Sequence, residues 1–507
     1  MMRRVAQMRA EKMIGMLFGM RKIISSVVAG LLCFGASISV PASAQADDLQ
    51  AMLKKAGQEN AGVDLMAGRT YVVAETLNVP TGVRYIRGHG AHLDVRTKGT
   101  SSELASAFAL AKETSGIELS DFTLNMKNSS FSSGISGDHI SNVTIRNVTM
   151  NDVNFRGVSI LADHGDVSNV TVDRSTITMA NENDGVVPIF VSTYRVKDDY
   201  TGKGAEVWER YVATGKTADP MFKNTDIKIT DNTIDGGYYG IEFSGVTSSH
   251  ITGNTIRNNT RNISMQDRSS NNTVENNQLR DSISSSVHIA YGSESNDVKG
   301  NNIVTRRAYG QGILQAYQGS KNNKFSGNNV TVRENQPSWL LYVGPDSSNT
   351  AFTGNTVDGA AKRAFIGVES VWDGPSSQSR LNGMSENLHS YMVKGEMATP
   401  GRPKGSTETV KYGGGTEPLE NIAITGNTFT PRNKNLPVVY VGAEVSVPEN
   451  GARQAIRGDI KGINISGNTV KGVKGNDYSE LLVTHEGSLN GVGAATITFT
   501  DKSVVAQ

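Results

Sequence analysis

Apolar and polar residues alternate in short runs along most of the chain, and the runs recur every 22 to 27 residues. Each run has two alternating apolar positions, a Gly-Asn pair or its equivalent, and then a β-branched or apolar residue, as in residues 251–256 and 298–303. Alternation with a period of two is typical of a β-strand, and turn residues at fixed offsets end each strand. A repeat of this length, built from short strands and turns, predicts a β-solenoid over residues 61–500.

A column of asparagines runs through these repeats and predicts how successive turns stack. Aligned repeats place the asparagines at spacings of 22, 23, 24, 27, 27, 72 and 41 residues. At a bend between two strands, a side-chain amide can hydrogen-bond its counterparts in the turns above and below, which satisfies buried polar groups. We therefore expect a structural ladder, with insertions at the two wide spacings. Its members are Asn232, Asn254, Asn277, Asn301, Asn328, Asn355, Asn427 and Asn468.

Weaker repeats precede the asparagine column, and a short amphipathic segment precedes those repeats. Residues 117–124, 143–150 and 170–177 show the same alternation with other residues in the asparagine position. A helix over residues 47–60 would cover the N-terminal end, because an uncovered turn exposes a strand edge. The predicted fold is therefore all-β, a parallel β-helix of about ten or eleven rungs with an N-terminal capping helix.

These features resemble the right-handed parallel β-helix, or pectate-lyase-like, superfamily over roughly residues 60–500. The resemblance is to the fold repeat and to no single enzyme family. The epimerase tetrad Asp-Pro-His-Asp does not occur, and residues 88–90 (Gly-His-Gly) lack the acidic pair that precedes this motif in polygalacturonases. Residues 136–139 lack the aromatic and arginine features of the pectate-lyase segment that they resemble. The resemblance implies a polysaccharide partner, but it leaves lyases, hydrolases, epimerases, esterases and non-catalytic binding proteins open.

The N-terminal segment has the features of a Sec-type export signal. Arg21 begins a basic pair, residues 23–40 are mostly apolar, and residues 42–44 (Ala-Ser-Ala) form a small-residue cleavage site. Counted from Met20, the segment has the ordinary length of a signal peptide. We expect residues 1–44 to be absent from the mature protein, which would be secreted or periplasmic with no membrane span.

Composition narrows the class of partner. The chain has 54 glycines and a formal net charge of +1, so it lacks the basic excess typical of a nucleic-acid partner. The only cysteine, Cys33, lies in the export segment, so neither disulfides nor thiol chemistry is expected in the mature protein. No Asp-rich nonapeptide array predicts a calcium solenoid. An isolated Ca²⁺ site, with ligands among Asp198, Asp199, Glu242 and Asp267, stays open, as does an oligomer.

A candidate site follows from the strand that begins 8 to 12 residues after each ladder asparagine. If Ile241 and Phe243 point inward, Glu242 points outward, because strand side chains alternate between faces. The same register places Gln266 and His288 at exposed positions on the outer face. Rungs are about 4.8 Å apart, so Glu242 and His288, two rungs apart, would be separated by roughly 10 Å. That separation leaves room for one sugar unit.

Two insertions, residues 194–224 and 370–418, interrupt the repeat just after this strand, about six rungs apart. Long loops that leave one edge of a rigid scaffold commonly wall a binding cleft. The aromatic, basic and acidic residues between the insertions suit a glycan. Trp339 is expected to fill the core instead. The predicted substrate-binding residues are Arg261, Gln266, Arg306, Arg307, Tyr309 and Tyr317.

The first functional hypothesis is a polysaccharide lyase that cleaves an acidic polysaccharide by β-elimination. This reaction needs a cation to neutralise the carboxylate of the uronic acid and a base within reach of its α-proton. Arg268 or Arg261 would neutralise the carboxylate. His288 or Tyr291 would act as the base.

Two other functions compete with the lyase. A glycoside hydrolase needs two carboxyl groups about 5 to 9.5 Å apart, and Glu242 and Asp267 lie on adjacent predicted rungs. In the third hypothesis, the groove belongs to a non-catalytic glycan-binding or surface-structural protein. Across the two enzymatic hypotheses, the catalytic candidates are Glu242, Asp267, Arg268, His288 and Tyr291.

Overall fold

The computed structural model describes residues 46–369, except for 101–102, 184, 194–219, 307–311, 318, 335 and 345–346. Beyond residue 369 it describes residues 396–397, 410–411, 419–432, 438–442, 444–449, 452–457, 460–471, 482–485 and 497–499. The predicted signal peptide, most of both insertions, Arg307 and Tyr309 lie outside the described residues.

Parallel strands wind into a solenoid with two sheets. Within the described residues, one sheet has 26 strands and the other has 13; we call them sheet A and sheet B. In most turns, two short strands of sheet A meet at a sharp bend, and one strand of sheet B follows. The predicted parallel β-helix is therefore confirmed. Its sheet B has two or three more strands than the predicted rung count. Five of these strands precede Asn232, where the sequence showed three weaker repeats.

The strands of sheet B form one parallel series in chain order. They are Leu77–Val79, Ala105–Leu110, Ser132–Asp138, Arg156–Leu161, Val187–Ser192, Tyr239–Ser244, Arg261–Gln266, Ser285–Ile289, Leu314–Ala316, Leu341–Val343, Ile366–Glu369, Val439–Gly442 and Leu482–His485. The strands Val187–Ser192 and Ile366–Glu369, which directly precede the two predicted insertions, end at the same edge of sheet B.

Sheet A contains two strands, Tyr85–Val95 and Glu118–Asn125, that run through the bend without interruption. The strands before the bend are Val63–Asp64, Ser141–Arg146, Val167–Asp173, Asn224–Thr230, Val246–Thr247, His250–Thr252, Thr273–Glu275, Asp297–Lys299, Lys324–Ser326, Ala351–Thr353, Ala423–Thr425 and Asn464–Ser466. Those after it are Thr70–Val73, Thr149–Val153, Thr176–Met179, Thr233–Asp235, Thr255–Arg257, Gln278–Arg280, Asn302–Thr305, Asn329–Val332, Thr356–Gly359, Thr428–Pro431, Asn468–Val470 and Ile497–Phe499.

Three short strand pairs lie outside these sheets. Glu396–Met397 pairs antiparallel with Val410–Lys411, within the second insertion. Leu419–Glu420 pairs parallel with Ile460–Lys461. Glu444–Glu449 and Ala452–Arg457 form an antiparallel hairpin. This hairpin accounts for much of the wide spacing between the last two ladder asparagines, because it adds residues without adding a turn.

A helix, α1 (Ala46–Glu59), covers the N-terminal end of the solenoid. Its Leu49 and Leu53 are fully buried against the first turn. The Gln50 side chain pairs with the free edge of the first sheet B strand: its amide donates to the Asn78 carbonyl at 2.9 Å, and its oxygen accepts the Asn78 N–H at 2.8 Å. The helix therefore satisfies backbone groups that an open strand edge would leave exposed.

The predicted asparagine ladder is confirmed along its whole length. The Asn277 side-chain nitrogen donates to Asn301 Oδ1 at 2.9 Å, and its own Oδ1 accepts from the Asn254 side chain at 3.0 Å. The same amide-to-amide bond links every successive pair of the eight asparagines, at 2.9 to 3.0 Å. The first member, Asn232, accepts the backbone N–H of Ser175, which occupies the ladder position in the preceding turn.

A second, shorter ladder lies at the bend that follows sheet B. Asn272 donates to Asn296 Oδ1, and Asn296 donates to Asn323 Oδ1, both at 3.0 Å. The sequence analysis missed this ladder, although its spacings of 24 and 27 residues match the repeat. The signal was weaker because serines, such as Ser249 and Ser269, stand near the same bend in neighbouring turns.

The glycine of each Gly-Asn pair occupies a left-handed backbone position at the bend. The φ angle is +60° at Gly327, +57° at Asn276 and +54° at Asp231, which hold the same place in three different turns. Residues with a Cβ are strained in this region, and Asn and Asp tolerate it best. Local conformation therefore selects Gly, Asn or Asp beside the ladder.

This column gives a testable stability prediction. Gly327→Ala is expected to lower the free energy of unfolding by about 1 kcal/mol, whereas Gly327→Asn should lower it less. No atom lies within 4 Å of a Cβ built on Gly327, so backbone strain alone sets the difference. Urea unfolding of both variants measures the effect. Equal losses for alanine and asparagine would contradict this explanation.

Candidate functional site

The outer face of sheet B carries a continuous column of mainly polar and aromatic residues. The register pairs Glu242 with Ser264, Ser264 with His288, His288 with Gln315, and Gln315 with Tyr342. The neighbouring positions in these strands, such as Ile241 and Phe243, are fully buried in the core. The predicted facing of Glu242 and His288 is therefore correct.

Glu242 and Asp267 both lie on this face, and each accepts a hydrogen bond. Glu242, which is partly exposed, accepts from Gln266 Nε2 at 3.1 Å. Asp267 Oδ2 accepts from the Ser244 hydroxyl at 2.7 Å. Ser244, two residues after Glu242, pairs with Gln266 in register. Asp267 follows Gln266, so it is displaced from Glu242 by three residues, or roughly 10 Å, along the strand direction.

His288 is part of a chain of hydrogen bonds through three successive turns. Its Nδ1 lies 2.9 Å from the Ser264 hydroxyl, and its Nε2 lies 2.8 Å from the Tyr317 hydroxyl. The rings of His288 and Tyr317 meet edge to face, with centroids 5.2 Å apart. This arrangement fixes both nitrogens of the imidazole and links it to a phenol, which is a geometry suited to proton transfer.

The expected exposure of His288 and Gln266 is wrong. His288 is fully buried, and Gln266 is 8% exposed. Alternation correctly gave the face on which these side chains lie. It did not give their exposure, because exposure depends on groups from distant parts of the sequence.

Arg261 and Tyr239 form a second polar pair at the start of the same strands. Arg261 Nη1 donates to the Tyr239 hydroxyl at 3.0 Å, and its guanidinium lies 5.3 Å from the centre of that ring. Burial of the phenol raises the pKa of Tyr239 well above its usual value, although Arg261 acts in the opposite direction. Tyr239 therefore stays protonated at neutral pH, and the pair presents donors to the outer face.

Arg268 and Tyr291 lie in the turns that follow two adjacent sheet B strands. Both have left-handed backbones, with φ of +63° and +53°, and the Arg268 N–H donates to the Tyr291 carbonyl at 3.0 Å. Both residues are partly exposed. The structure thus brings these two predicted residues together at one edge of the face, beside Asp267.

Arg306 lies at the opposite edge of sheet B, where it pairs with Asp281. Its Nη2 is 2.9 Å from Asp281 Oδ2, and this hydrogen bond raises the pKa of the arginine. Arg306 therefore does not join the cluster around His288. Tyr317, which was predicted only to bind substrate, is instead the hydrogen-bond partner of the imidazole.

A buried aromatic cluster continues the face beyond Tyr317. The Tyr342 hydroxyl donates to Glu369 Oε2 at 2.9 Å, and Arg363 Nη1 donates to Glu369 Oε1 at 3.1 Å. The Arg363 guanidinium lies 4.7 Å from both the Trp339 and the Tyr440 rings. Burial, together with Glu369, raises the pKa of the Tyr342 phenol well above its usual value.

Trp339 is fully buried, as the core prediction requires, but it packs on the outer face of sheet B and not in the core between the sheets. Its indole stacks on Tyr342, with an interplanar angle of 3°, and on Tyr440 at 28°, and both tyrosines belong to the outer column. Between those tyrosines, Gly367 occupies the same column, and a Cβ there would lie 2.5 Å from the indole. The missing side chain of Gly367 provides the space for Trp339.

Sequence reasoning missed several residues of this face. Ser264 stood in the aligned column, but a serine there carried no evident chemistry. Gln315 and Tyr342 occupy the same column in the next two turns. Continuing the strand register from His288 into the following turns would have found Gln315 and Tyr342. Continuing it further would have reached the strand that ends at Glu369.

No metal centre is evident in the part of the chain that the structure describes. No group of three or more His, Cys, Asp or Glu residues there could hold a metal ion. Both ring nitrogens of His288 lie within hydrogen-bond distance of hydroxyl groups. Among the same described residues, no helix is long and apolar enough to cross a bilayer.

The sheet topology and the repeat define the class of protein: the chain has the right-handed parallel β-helix fold. Residues 168–383 match the model of a family described as periplasmic copper-binding protein (NosD). The match covers less than half of the chain. Within this range, the described residues include no group of three or more His, Cys, Asp or Glu side chains that could hold a metal ion. No curated protein matches the chain.

Several solved structures are similar to this chain at low sequence identity. The A-module of mannuronan C-5 epimerase AlgE4 from Azotobacter vinelandii is 16% identical, with a TM-score of 0.45, over 65% of this chain and 94% of that one. DFA-IIIase from Arthrobacter chlorophenolicus A6 in complex with GF2 is 12% identical, with a TM-score of 0.49, over 89% of this chain and 94% of that one. The Dettilon tailspike protein is 11% identical, with a TM-score of 0.36, over 89% of this chain and 64% of that one.

Proposed function

We propose that the protein is an exported enzyme that cleaves an acidic polysaccharide by β-elimination on the outer face of sheet B. The observation that carries this proposal is the hydrogen-bonded chain Ser264–His288–Tyr317. A phenol held against an imidazole can exchange its proton, and a positioned base typically contributes about 10²- to 10⁴-fold to a rate. The hydroxyls of the other two tyrosines described on this face have different partners: Tyr239 accepts from Arg261, and Tyr342 donates to the Glu369 carboxylate.

In the proposed reaction, His288 Nε2 accepts the phenolic proton of Tyr317, and the phenolate removes the proton on the carbon next to the carboxylate of a uronate. The electron pair of that C–H bond forms the new carbon–carbon double bond, and the adjacent C–O bond to the next sugar breaks. The leaving oxygen takes the proton held by His288, so the protons balance.

The carboxylate of the uronate needs a cation as negative charge develops next to it. Arg261 lies on the same strand as Ser264, and Arg268 lies in the turn directly after that strand. The partly exposed residues on this part of the face are Glu242, Tyr239, Arg268 and Tyr291. We propose that a sugar unit enters there, with one of the two arginines at its carboxylate.

A glycoside hydrolase that uses Glu242 and Asp267 is the second candidate. Their register separation along the strand, roughly 10 Å, lies at or beyond the spacing that inverting enzymes use. The lyase therefore fits this face better.

Incubation of the mature protein with acidic and neutral polysaccharides tests the proposal. A lyase produces unsaturated ends that absorb ultraviolet light, whereas a hydrolase produces reducing ends without that absorbance. A non-catalytic binding protein produces neither. Reducing ends without ultraviolet absorbance would overturn the β-elimination mechanism.

Two carboxamide variants separate the candidates by residue. We expect Glu242→Gln and Asp267→Asn each to keep at least a tenth of the wild-type rate, because neither carboxylate transfers a proton in the proposed reaction. A hydrolase would lose two or more orders of magnitude with either change. The initial rate on the substrate found by the incubation panel is the measurement. Losses of that size in both variants would favour the hydrolase.

A further inference from the structure

A polar depression of about 440 Å³ lies on sheet A, on the first turns of the solenoid and away from the outer face of sheet B. This volume is within the range of small-molecule sites. The lining residues combine hydroxyl, amide, carboxylate and imidazole groups: His89, Gly90, Asp121, Phe122, Thr123, Asn147 and Thr149.

The depression is formed by a bulge in the strand Tyr85–Val95. Relative to the next turn, the register of this strand shifts between Arg87 and Ala91, so the bulge at His89 has extra residues. A Cβ built on Gly90 would meet no atom within 4 Å, which places open space beside the bulge. His89 thus forms one wall, and the equivalent bend residues of the next two turns form another.

Hydrogen bonds within the depression fix its polar groups. His89 Nε2 lies 2.7 Å from Asp64 Oδ1, and Tyr85 donates to the other oxygen of Asp64 at 3.1 Å. The hydrogen bond from His89 holds the pKa of Asp64 below its usual range. In the next two turns, the Asn147 amide donates to Asp121 Oδ1 at 2.5 Å. These polar groups are therefore oriented before any ligand arrives.

The chemistry of the lining selects a class of ligand. Thr123 and Thr149, paired in register on adjacent turns, offer hydroxyls that both donate and accept. Asp121 offers carboxylate oxygens that accept from hydroxyls and would repel an anion. The two nearby arginines, Arg87 and Arg146, both pair with Glu118, at 3.6 and 3.1 Å, so their positive charge is partly neutralised. An uncharged ligand rich in hydroxyl groups matches this lining.

We propose that this depression binds one or two units of a neutral sugar chain, at a site separate from the outer face of sheet B. The inference does not rest on the proposed lyase chemistry. A polysaccharide bound here would be held on the first turns of the solenoid, several rungs from His288. The site would therefore add affinity without taking part in bond cleavage.

The test measures saturation-transfer NMR of the mature protein with neutral tetrasaccharides of β-1,4-linked glucose, mannose and galactose. We expect at least one to bind, and Asp121→Gly to weaken that binding at least tenfold. Glycine fits the left-handed backbone of Asp121, whose φ is +61°, so the fold should be kept. Asp231→Gly is the matched control, because Asp231 has the same backbone conformation in a turn outside the depression. Its binding should equal that of the wild type.

Three outcomes would overturn the proposal. The first is that none of the three tetrasaccharides binds. The second is that Asp121→Gly binds as well as Asp231→Gly. The third is that binding is lost with Tyr317→Phe and kept with Asp121→Gly, which would place the sugar on sheet B. Because binding is measured without turnover, a failure of the lyase proposal leaves this result unaffected.

Discussion

Tyr317→Phe is expected to lower the turnover of the acidic polysaccharide by two or more orders of magnitude while the fold stays intact. The change removes only the hydroxyl that lies 2.8 Å from His288 Nε2, so the proposed base is lost. Phenylalanine keeps the ring and its edge contact with the imidazole, whose centroid lies 5.2 Å away. The initial rate of formation of unsaturated ends measures the effect, and the thermal midpoint of unfolding verifies the fold.

A matched control separates the chemistry from the loss of a buried hydroxyl. Tyr71 is also buried, and its hydroxyl accepts the backbone N–H of Met66 at 3.0 Å, in the first turn of the solenoid and several rungs from His288. Tyr71→Phe should cost comparable stability and leave the rate unchanged. Wild-type turnover in Tyr317→Phe would show that this phenol is not the base.

His288→Gln tests whether the two residues act as a unit. Glutamine can still hydrogen-bond Tyr317, but it cannot accept and return a proton at neutral pH. Groups that act together give strongly non-additive losses. The double variant should therefore be about as slow as the slower single variant. Multiplied losses would indicate that His288 and Tyr317 contribute independently.

The sequence predicted the solenoid well because its determinants are local and repeated. A left-handed residue such as Gly327 or Asn276, followed by a ladder asparagine, appears in turn after turn. Each copy adds evidence for the same bend. Alternation around that bend then gives the inward residues, such as Ile251 and Ile256.

The candidate site was harder to predict because its contacts join separate turns. Ser264 and Tyr317 are 53 residues apart in the sequence, yet both contact the imidazole of His288. Periodicity places side chains on a face but does not say which of them bond to each other. The position of Trp339 depends on Gly367, one turn further along, and no local pattern links the two residues.

The second large effect is expected from Asn277→Ala, in the middle of the ladder. The Asn277 side chain makes four hydrogen bonds in a fully buried position. Its nitrogen donates to the Ile251 carbonyl and to Asn301 Oδ1, both at 2.9 Å. Its oxygen accepts the backbone N–H and the side-chain amide of Asn254, at 2.9 and 3.0 Å. Alanine removes all four bonds. The backbone N–H of Asn254 loses its side-chain acceptor, whereas the Asn254 amide keeps its bond to the Ile229 carbonyl and Asn301 Oδ1 keeps the backbone N–H of residue 277.

Each unsatisfied buried group costs about 1–3 kcal/mol, and local relaxation recovers part of that cost, so we expect a loss of about 2–4 kcal/mol in the free energy of unfolding. Asn302→Ala is the matched control. Asn302 lies on the outer face of sheet A in the same solenoid, where its amide donates to Gln278 at 2.7 Å in a partly exposed position. Its replacement should change the free energy of unfolding by no more than about 0.5 kcal/mol.

Hydrogen exchange locates the damage that this substitution causes. The backbone N–H of Asn254 donates only to a side chain of the ladder, Asn277 Oδ1, so it should lose protection in Asn277→Ala. Asn328 lies two turns beyond Asn277, and its N–H donates to Asn355 Oδ1. This N–H should lose far less protection, because each turn of a solenoid contacts mainly its neighbours. Equal loss of protection at both amides would mean that the ladder responds as a single cooperative unit, and the local explanation would then be wrong.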